Sequence, residues 1–128
     1  MRRSRLWWTL LAVSPAMAWG QDASPTPAPA AIFAVTFRTG PGWDKAKAPA
    51  EQKSFAEHGR NIRALGEEGR LVLGGRFGEV GLLLVRAADE KEARSLIDRD
   101  PSVAAGTFTA EVHRWSTFAD GCVERARR

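Results

Sequence analysis

The distribution of apolar and polar residues along the chain predicts four β-strands. Two segments, with the sequences FAVTF and GLLLV, are apolar at nearly every position, as expected for strands covered on both faces. The segment FTAEVHRW alternates between apolar and polar residues, which is typical of an edge strand with one solvated face. The predicted strands are Ala31–Arg38, Arg70–Phe77, Gly81–Arg86 and Phe108–Trp115.

Apolar residues at spacings of three and four predict two helices between these strands. The first helix has Pro49 in its first turn and ends around 66–69, where two glycines stand. The second is capped by Asp89, with Glu92 three residues on. It ends at Asp100-Pro101, because proline disfavours helical geometry in the residue before it. The inward faces consist of Phe55, His58, Ile62 and Leu65 in the first helix, and of Ala93, Leu96 and Ile97 in the second.

The predicted order of elements is βαββαβ, the ferredoxin-like arrangement of the α+β class. It gives an antiparallel four-stranded sheet in spatial order 4-1-3-2, with two helices on one face. The opposite face of the two central strands is then apolar and uncovered. We therefore expect a second copy of the chain to pack against it with twofold symmetry, as in a dimeric α+β barrel. The alternative is a monomer whose N-terminal linker or C-terminal tail folds over this face.

The N-terminus has the three parts of a secretory signal peptide. Three arginines within residues 1–5 precede the uncharged segment LWWTLLAVSPAMA, which ends in small residues at alternate positions. The apolar run is shorter than the ~20 residues of a membrane span. We expect a periplasmic or secreted protein without membrane contact after cleavage, which would follow Ala18 or Gly20. An amphipathic N-terminal helix and an uncleaved anchor are the alternatives.

Composition divides the chain into four parts. We predict a signal peptide at 1–20, a Pro/Ala-rich linker at 21–31, an α+β domain at 32–118 and a flexible basic tail at 119–128. Cys122, the one cysteine, lies in the tail, so an internal disulfide is excluded.

The net charge of +4 does not indicate a nucleic-acid-binding protein. Of 19 basic side chains, three lie in the predicted signal peptide, which leaves 16 against 15 acidic ones. The remaining basic residues are interspersed with acids, whereas nucleic-acid binding requires a clustered basic face. We therefore expect no nucleic-acid partner.

Several short motifs, in this order, resemble the YCII-related domain family. They are Phe55-x-x-His58, Leu65-x-x-x-Gly69-Arg70-Leu71, Gly74-Gly75, the helix with Ala93, and Asp100-Pro101 before the last strand. The resemblance extends from Ile32 to Trp115 and implies the dimeric α+β barrel fold. It also implies a His–Asp pair in a pocket, in which His58 matches the histidine and Asp100 the acid. Some relatives are lyases acting on chlorinated hydroquinones, and many have no assigned activity.

The residues themselves suggest chemistry for this pair. His58 lies in the inward register of its helix, where a charged imidazole needs an acid to support it. Asp100 could accept one ring N–H, and the other ring nitrogen could then take a proton from a phenol or an acidic C–H. The alternatives are a core histidine bonded to a backbone carbonyl, and an aspartate that only caps the turn after it.

Two further residues are candidates for ligand binding. Arg38 ends the first strand and could hold an anion, or be a plain surface charge. Trp43 follows it in a loop and could cover a pocket for an aromatic compound, or pack on the start of the helix. His113 has no metal-ligand spacing to His58 and is expected on the solvated side of the edge strand. We expect no metal site and no cofactor.

Two functions are compatible with these residues. The first is an exported, cofactor-independent enzyme of the lyase or isomerase type. It would use His58 as general acid or base, oriented by Asp100, on a small molecule such as an aromatic one. The alternative is a non-catalytic periplasmic module of the same fold that binds a small molecule or mediates assembly, with the two residues in structural roles.

Overall fold

The computed structural model describes residues 30–121 as four strands and three helices. The strands are β1 (Ala31–Thr39), β2 (Leu71–Phe77), β3 (Val80–Ala87) and β4 (Phe108–Arg114). The helices are α1 (Phe55–Glu67), α2 (Glu90–Asp98) and α3 (Pro101–Ala104), and a 3₁₀ turn covers Pro49–Glu51.

The strands form one antiparallel sheet in the order β2-β3-β1-β4, which confirms the predicted ferredoxin-like arrangement. β1 lies in the centre, where Val35 pairs with Leu83 of β3 on one side and with Val112 of β4 on the other. The central position of β1 and β3 agrees with their nearly continuous apolar sequences, since each has side chains to bury on both faces.

One face of the sheet forms the hydrophobic core with the helices. Alternate residues of β1 point to this face, and Phe33, Val35 and Phe37 are 0–4% exposed. The core cluster is completed by Leu83, Val85, Ala87 and Val112 from the sheet, Leu65 from α1, and Ala93, Leu96 and Ile97 from α2.

The opposite face, which we call the open face, has an apolar centre and a polar edge. The strand registers place Ala34 of β1 beside Leu84 of β3, and Leu84 beside Leu73 of β2. Leu84 is buried but stands outside the helix-side core cluster. His113 and Glu111 lie on the same face in β4, where both are exposed. Within residues 30–121 the core helices all pack on the other side of the sheet.

The predicted end of the second helix marks the beginning of a third. α2 stops at Asp98, and Asp100 then caps the short helix α3, whose first residue is Pro101. Asp100 is extended, with φ −70° and ψ 118°, because proline disfavours helical geometry in the residue before it. Pro101 itself suits the first position of α3, since a first-turn N–H needs no partner within the helix. The cap predicted at Asp89 is confirmed, since Asp89 accepts from the Glu92 amide at 2.8 Å.

The loop after β1 is fixed against the loop before β4 by direct contact of the two backbones. The amides of Gly40 and Gly42 donate to the carbonyls of Thr107 and Gly106 at 2.9 and 2.8 Å. A Cβ atom at Gly40 would collide with the carbonyl oxygen of Gly106, so the approach requires glycine. This contact holds the residues that follow, beginning with Trp43, beside Phe108 at the start of β4.

The predicted signal peptide, most of the linker, and the end of the tail with Cys122 lie outside the described residues. Between residues 30 and 121, no helix has the length and apolar character needed to cross a membrane.

Candidate functional site

A buried histidine–aspartate pair joins α1 to the start of α3. His58 Nδ1 lies 2.7 Å from Asp100 Oδ2, although the two residues are 42 positions apart in the sequence. The side chains are 14% and 1% exposed, respectively. The pair implied by the resemblance is therefore present in the fold, and it is almost completely removed from water.

The carboxylate of Asp100 accepts four hydrogen bonds. Oδ1 accepts from the amide and from the hydroxyl of Ser102, at 2.9 and 2.7 Å. Oδ2 accepts from His58 Nδ1 and from Asn61 Nδ2, at 2.7 and 3.2 Å. A carboxylate has about four lone-pair positions, so its acceptor capacity is filled, and a proton on it would displace one of these donors.

These bonds determine the charge of Asp100. Burial acts to raise the pKa of its carboxyl group, because it disfavours the charged form. The hydrogen bonds from His58 and Ser102 act in the other direction and prevail, so the pKa of Asp100 lies below its ordinary value. Asp100 is accordingly an ionised acceptor at neutral pH.

The contact with Asp100 also fixes how His58 holds its proton. An ionised carboxylate can only accept, so Nδ1 must carry the hydrogen and Nε2 is the position where a proton is gained or lost. None of the hydrogen bonds among residues 30–121 involves Nε2. Within this part of the chain, nothing therefore competes with a ligand for Nε2.

Two aromatic rings pack against the imidazole on neighbouring sides. The rings of Phe37 and Phe108 each lie 5.0 Å from that of His58, measured between centroids. Phe108 in turn contacts Trp43 at 5.6 Å and Phe55 at 6.3 Å. The site is therefore apolar and aromatic on one side and ionic on the other, a combination that suits a planar ring with a polar substituent.

Buried polar groups hold the loop that carries Trp43. The Gln52 side chain, 5% exposed, donates to the carbonyls of Asp44 and Lys47 and accepts from the Asp44 amide.

Ser54, just before α1, adopts the left-handed conformation at φ 60°, which is uncommon for a residue with a side chain. Such strain is typical of functional sites and persists only where the surroundings enforce it.

The structure brings together three of the four residues predicted from the sequence. His58 and Asp100 are in contact, and Trp43 lies one ring away, against Phe108. Arg38 does not join them: it follows Phe37 in β1, so the alternation of the strand places it on the open face, in register with Thr109. His113 is an exposed residue 3.6 Å from Glu111, as expected.

The two alternatives considered for the pair have different outcomes. The imidazole is bonded to a carboxylate, so a core histidine held by a backbone carbonyl is the wrong description at Nδ1. Asp100 does cap the turn after it, through the Ser102 amide, and binds His58 at the same time with its second oxygen. One aspartate thus performs both tasks.

Four members of the site, Phe37, Asn61, Ser102 and Phe108, were not predicted as site residues from the sequence. Asn61 follows His58 by three positions, so it shares a helix face with the histidine. Ser102 is the second residue after an Asp that caps a helix, where its amide must turn back towards the cap. Both signals are readable once Asp100 is understood as a helix cap.

The remaining features of residues 30–121 offer no metal site. No group of three or more His, Cys, Asp or Glu side chains in this range is arranged to hold a metal ion. A cleft of about 310 Å³ lies between α2 and the connection from α1 to β2. It is lined by Glu68, Arg70, Glu92, Ser95, Leu96 and Arg99, and does not include His58 or Asp100.

Comparison with protein-family models relates the sequence of this chain to a known family. The model of the YCII-related domain matches residues 43–116, more than half of the chain. The chain belongs to the YCII-related domain family. The matched range includes Trp43, His58, Asp100 and Phe108, whereas Phe37, which also contacts the imidazole of this YCII-related domain, precedes it.

Solved structures include one with the same fold. It is 5-chloro-2-hydroxyhydroquinone dehydrochlorinase (TftG) from Burkholderia phenoliruptrix AC1100, in complex with 2,5-dihydroxybenzoquinone. The two proteins share 22% sequence identity with a TM-score of 0.51, over 66% of this chain and 93% of that one. The likeness shows that the fold is shared. Among curated proteins, none matches this YCII-related domain.

The buried carboxylate predicts how stability depends on pH. The folded-state pKa of Asp100 lies below its unfolded-state value of about 3.9. Its stabilising contribution is therefore fully present above about pH 4 and disappears as the pH falls further, through the folded-state pKa. Asp100→Asn should lower the free energy of unfolding by about 3 kcal/mol at pH 7, and the difference from the unsubstituted protein should shrink towards pH 2.

Urea unfolding between pH 2 and pH 7 measures this difference. Asp98→Asn is the matched control, because Asp98 is exposed two residues earlier in the chain. The control should unfold like the unsubstituted protein at every pH. An equal effect of the two substitutions, or a constant difference across the pH range, would contradict the account of Asp100 as an ionised buried acceptor.

Proposed function

We propose that this YCII-related domain is a cofactor-independent enzyme of the lyase or isomerase type that acts on a small aromatic molecule. The observation behind the proposal is the arrangement of His58. Nδ1 is bound to an ionised buried carboxylate, Nε2 has no hydrogen-bond partner among residues 30–121, and the rings of Phe37 and Phe108 pack against the imidazole. This is the arrangement of a general base whose proton is taken up at one defined atom.

The proposed step moves one proton and one electron pair. Nε2 takes the proton of a phenolic O–H or an acidic C–H, and the pair left behind moves into the ring of the substrate. In an elimination, the substrate reacts as its keto tautomer, in which the ring carbon that bears the leaving group also bears a hydrogen. The electron pair then forms a ring double bond to that carbon, the group departs with its own pair, as chloride in a chlorinated substrate, and the imidazolium gives its proton to solvent. In an isomerisation, the imidazolium returns the proton to another atom. In both cases Asp100 stabilises the imidazolium through the Nδ1 hydrogen bond.

The structural neighbour supports the choice of substrate class. Its name describes a dehydrochlorinase of 5-chloro-2-hydroxyhydroquinone, and its bound ligand is 2,5-dihydroxybenzoquinone. Both are planar six-membered rings with hydroxyl groups, which match an aromatic wall next to a proton acceptor. These two compounds are therefore suitable probes for the present protein.

Replacement of the histidine tests the proposal. In His58→Gln, chloride release from 5-chloro-2-hydroxyhydroquinone should fall by about 100-fold or more, because the general base is lost. His113→Gln is the matched control, since His113 is an exposed histidine on the other face of the sheet. It should retain the full rate. Both variants should show a cooperative unfolding transition in urea, which establishes that each is folded.

The alternative function has one observation in its favour. His58 is only 14% exposed and is packed against two phenylalanine rings, as a purely structural histidine would be. A protein that binds 2,5-dihydroxybenzoquinone without turning over any chlorinated hydroquinone would be a binding module. Equal chloride release by the unsubstituted protein and by His58→Gln would contradict the catalytic role directly.

We further propose that the protein is a homodimer in which two open faces pack together. Ala34, Leu82 and Leu84 make the centre of this face apolar, while Glu111 and His113 make one edge polar. An apolar centre with a polar rim is the usual anatomy of an interface. A twofold axis through the central strands would bring the apolar centres into contact with each other.

A charge at the centre of the open face should prevent this association. Leu82→Glu places a carboxylate where the partner would pack, and leaves the helix-side core unchanged, so we expect a folded monomer. Ser95→Glu, on the exposed side of α2, should remain a dimer. Sedimentation velocity at micromolar concentration distinguishes the two states. A monomeric unsubstituted protein would contradict the dimer and favour cover by the protein's own linker or tail.

Export to the periplasm is the third proposal, and it is based on the sequence of residues 1–20. After expression in a Gram-negative host, the protein from the periplasmic fraction should begin at Trp19 or Gln21, as determined by mass spectrometry. Leu10→Arg interrupts the apolar run and should leave the chain uncleaved in the cytoplasm. An intact Met1 on the unsubstituted protein would contradict cleavage.

A further inference from the structure

Ser102 occupies a position in the candidate site that the proton-transfer scheme does not use. It is the second residue of α3 and is 0% exposed. Its hydroxyl donates to Asp100 Oδ1 at 2.7 Å. The hydroxyl oxygen of Ser102 also lies 3.3 Å from His58 Nδ1. A serine, a histidine and an aspartate are thus in mutual contact.

The geometry excludes the role of nucleophile for Ser102. A nucleophilic serine gives its proton to the histidine, whereas this hydroxyl has its single hydrogen directed at Asp100. The oxygen faces Nδ1, which already carries a hydrogen, rather than Nε2. The residue is also inaccessible to a substrate.

The same geometry suits a residue that holds the carboxylate. Ser102 provides both donors to Oδ1, one from its amide and one from its hydroxyl. These two bonds fix the orientation of the carboxylate group, so that Oδ2 points to His58 and Asn61. Without the hydroxyl, Oδ1 would keep one donor, and a buried lone pair would lose its partner.

We propose that Ser102 is a positioning residue, whose hydroxyl donates to the Asp100 carboxylate and aligns it so that His58 presents Nε2 to the substrate. The functional part of this inference rests on the proton-transfer function proposed above. The effect on the carboxylate itself does not, because it is a property of the protein without ligand.

The titration of the Asp100 carboxyl carbon, followed by ¹³C NMR, tests the inference without a substrate. In Ser102→Ala the midpoint should move to higher pH, because a donor to the charged form is lost. Ser102→Cys has a weaker donor, so its Asp100 midpoint should lie between those of the unsubstituted protein and Ser102→Ala. Ser95→Ala is the matched control: the Ser95 hydroxyl donates to the Lys91 carbonyl of its own exposed helix, and its loss should leave the midpoint unchanged.

A double-substitution cycle separates positioning from a merely structural effect. Ser102→Ala should reduce chloride release about tenfold when Asp100 is present, the equivalent of one charge-assisted hydrogen bond. In the Asp100→Asn background the same substitution should change the rate by a factor near one, since the charge through which Ser102 acts is gone.

Two results would overturn the inference. One is an Asp100 midpoint in Ser102→Ala that equals that of the unsubstituted protein. The other is an equal loss of activity from Ser102→Ala in both backgrounds. If the unsubstituted protein releases no chloride while the Asp100 midpoint moves as expected, the proposed reaction fails but the role of Ser102 on the carboxylate stands.

Discussion

A charged carboxylate in the interior of a small domain is the constraint on which the rest of the site depends. An isolated buried charge is strongly unfavourable, and it becomes tolerable only when its acceptor positions are filled. Asp100 meets this condition with donors from two helices, His58 and Asn61 in α1 and Ser102 in α3. The hydrogen bonds to this one carboxylate therefore hold α1 against α3, and they also orient the imidazole.

The alternation of side chains in β1 separates the two surfaces that a function would use. Phe37 points to the helices and packs against His58, while Ala34 and Thr36 point to the open face. Because successive residues of a strand face opposite sides, a register shift of one position would exchange the two sets. The site and the proposed dimer interface are thus built on the same strand without sharing side chains, which lets each be tested without disturbing the other.

Much of the fold could be predicted from the sequence because its signals are local. The alternation in β4 and the cap at Asp89 both depend on residues a few positions apart. The contact of His58 with Asp100 spans 42 positions and was accessible only through the resemblance to a family. Ser102 was missed because its role depends on α3, a four-residue helix too short to leave a periodic pattern. The face occupied by Arg38, in contrast, could have been obtained by counting from Phe37.

The surroundings of the pair explain why a base, rather than a passive contact, is the more economical interpretation. Phe37 and Phe108 pack against the imidazole, and charges interact more strongly beside such apolar groups, where the dielectric constant is low. An imidazolium formed by proton uptake at Nε2 would face an ionised carboxylate 2.7 Å from Nδ1. Since the pKa of Asp100 is held below its ordinary value, that carboxylate is charged before any substrate arrives. The charge that would stabilise a protonated ring is therefore already in place, and the proposed reaction would need no rearrangement of the fold.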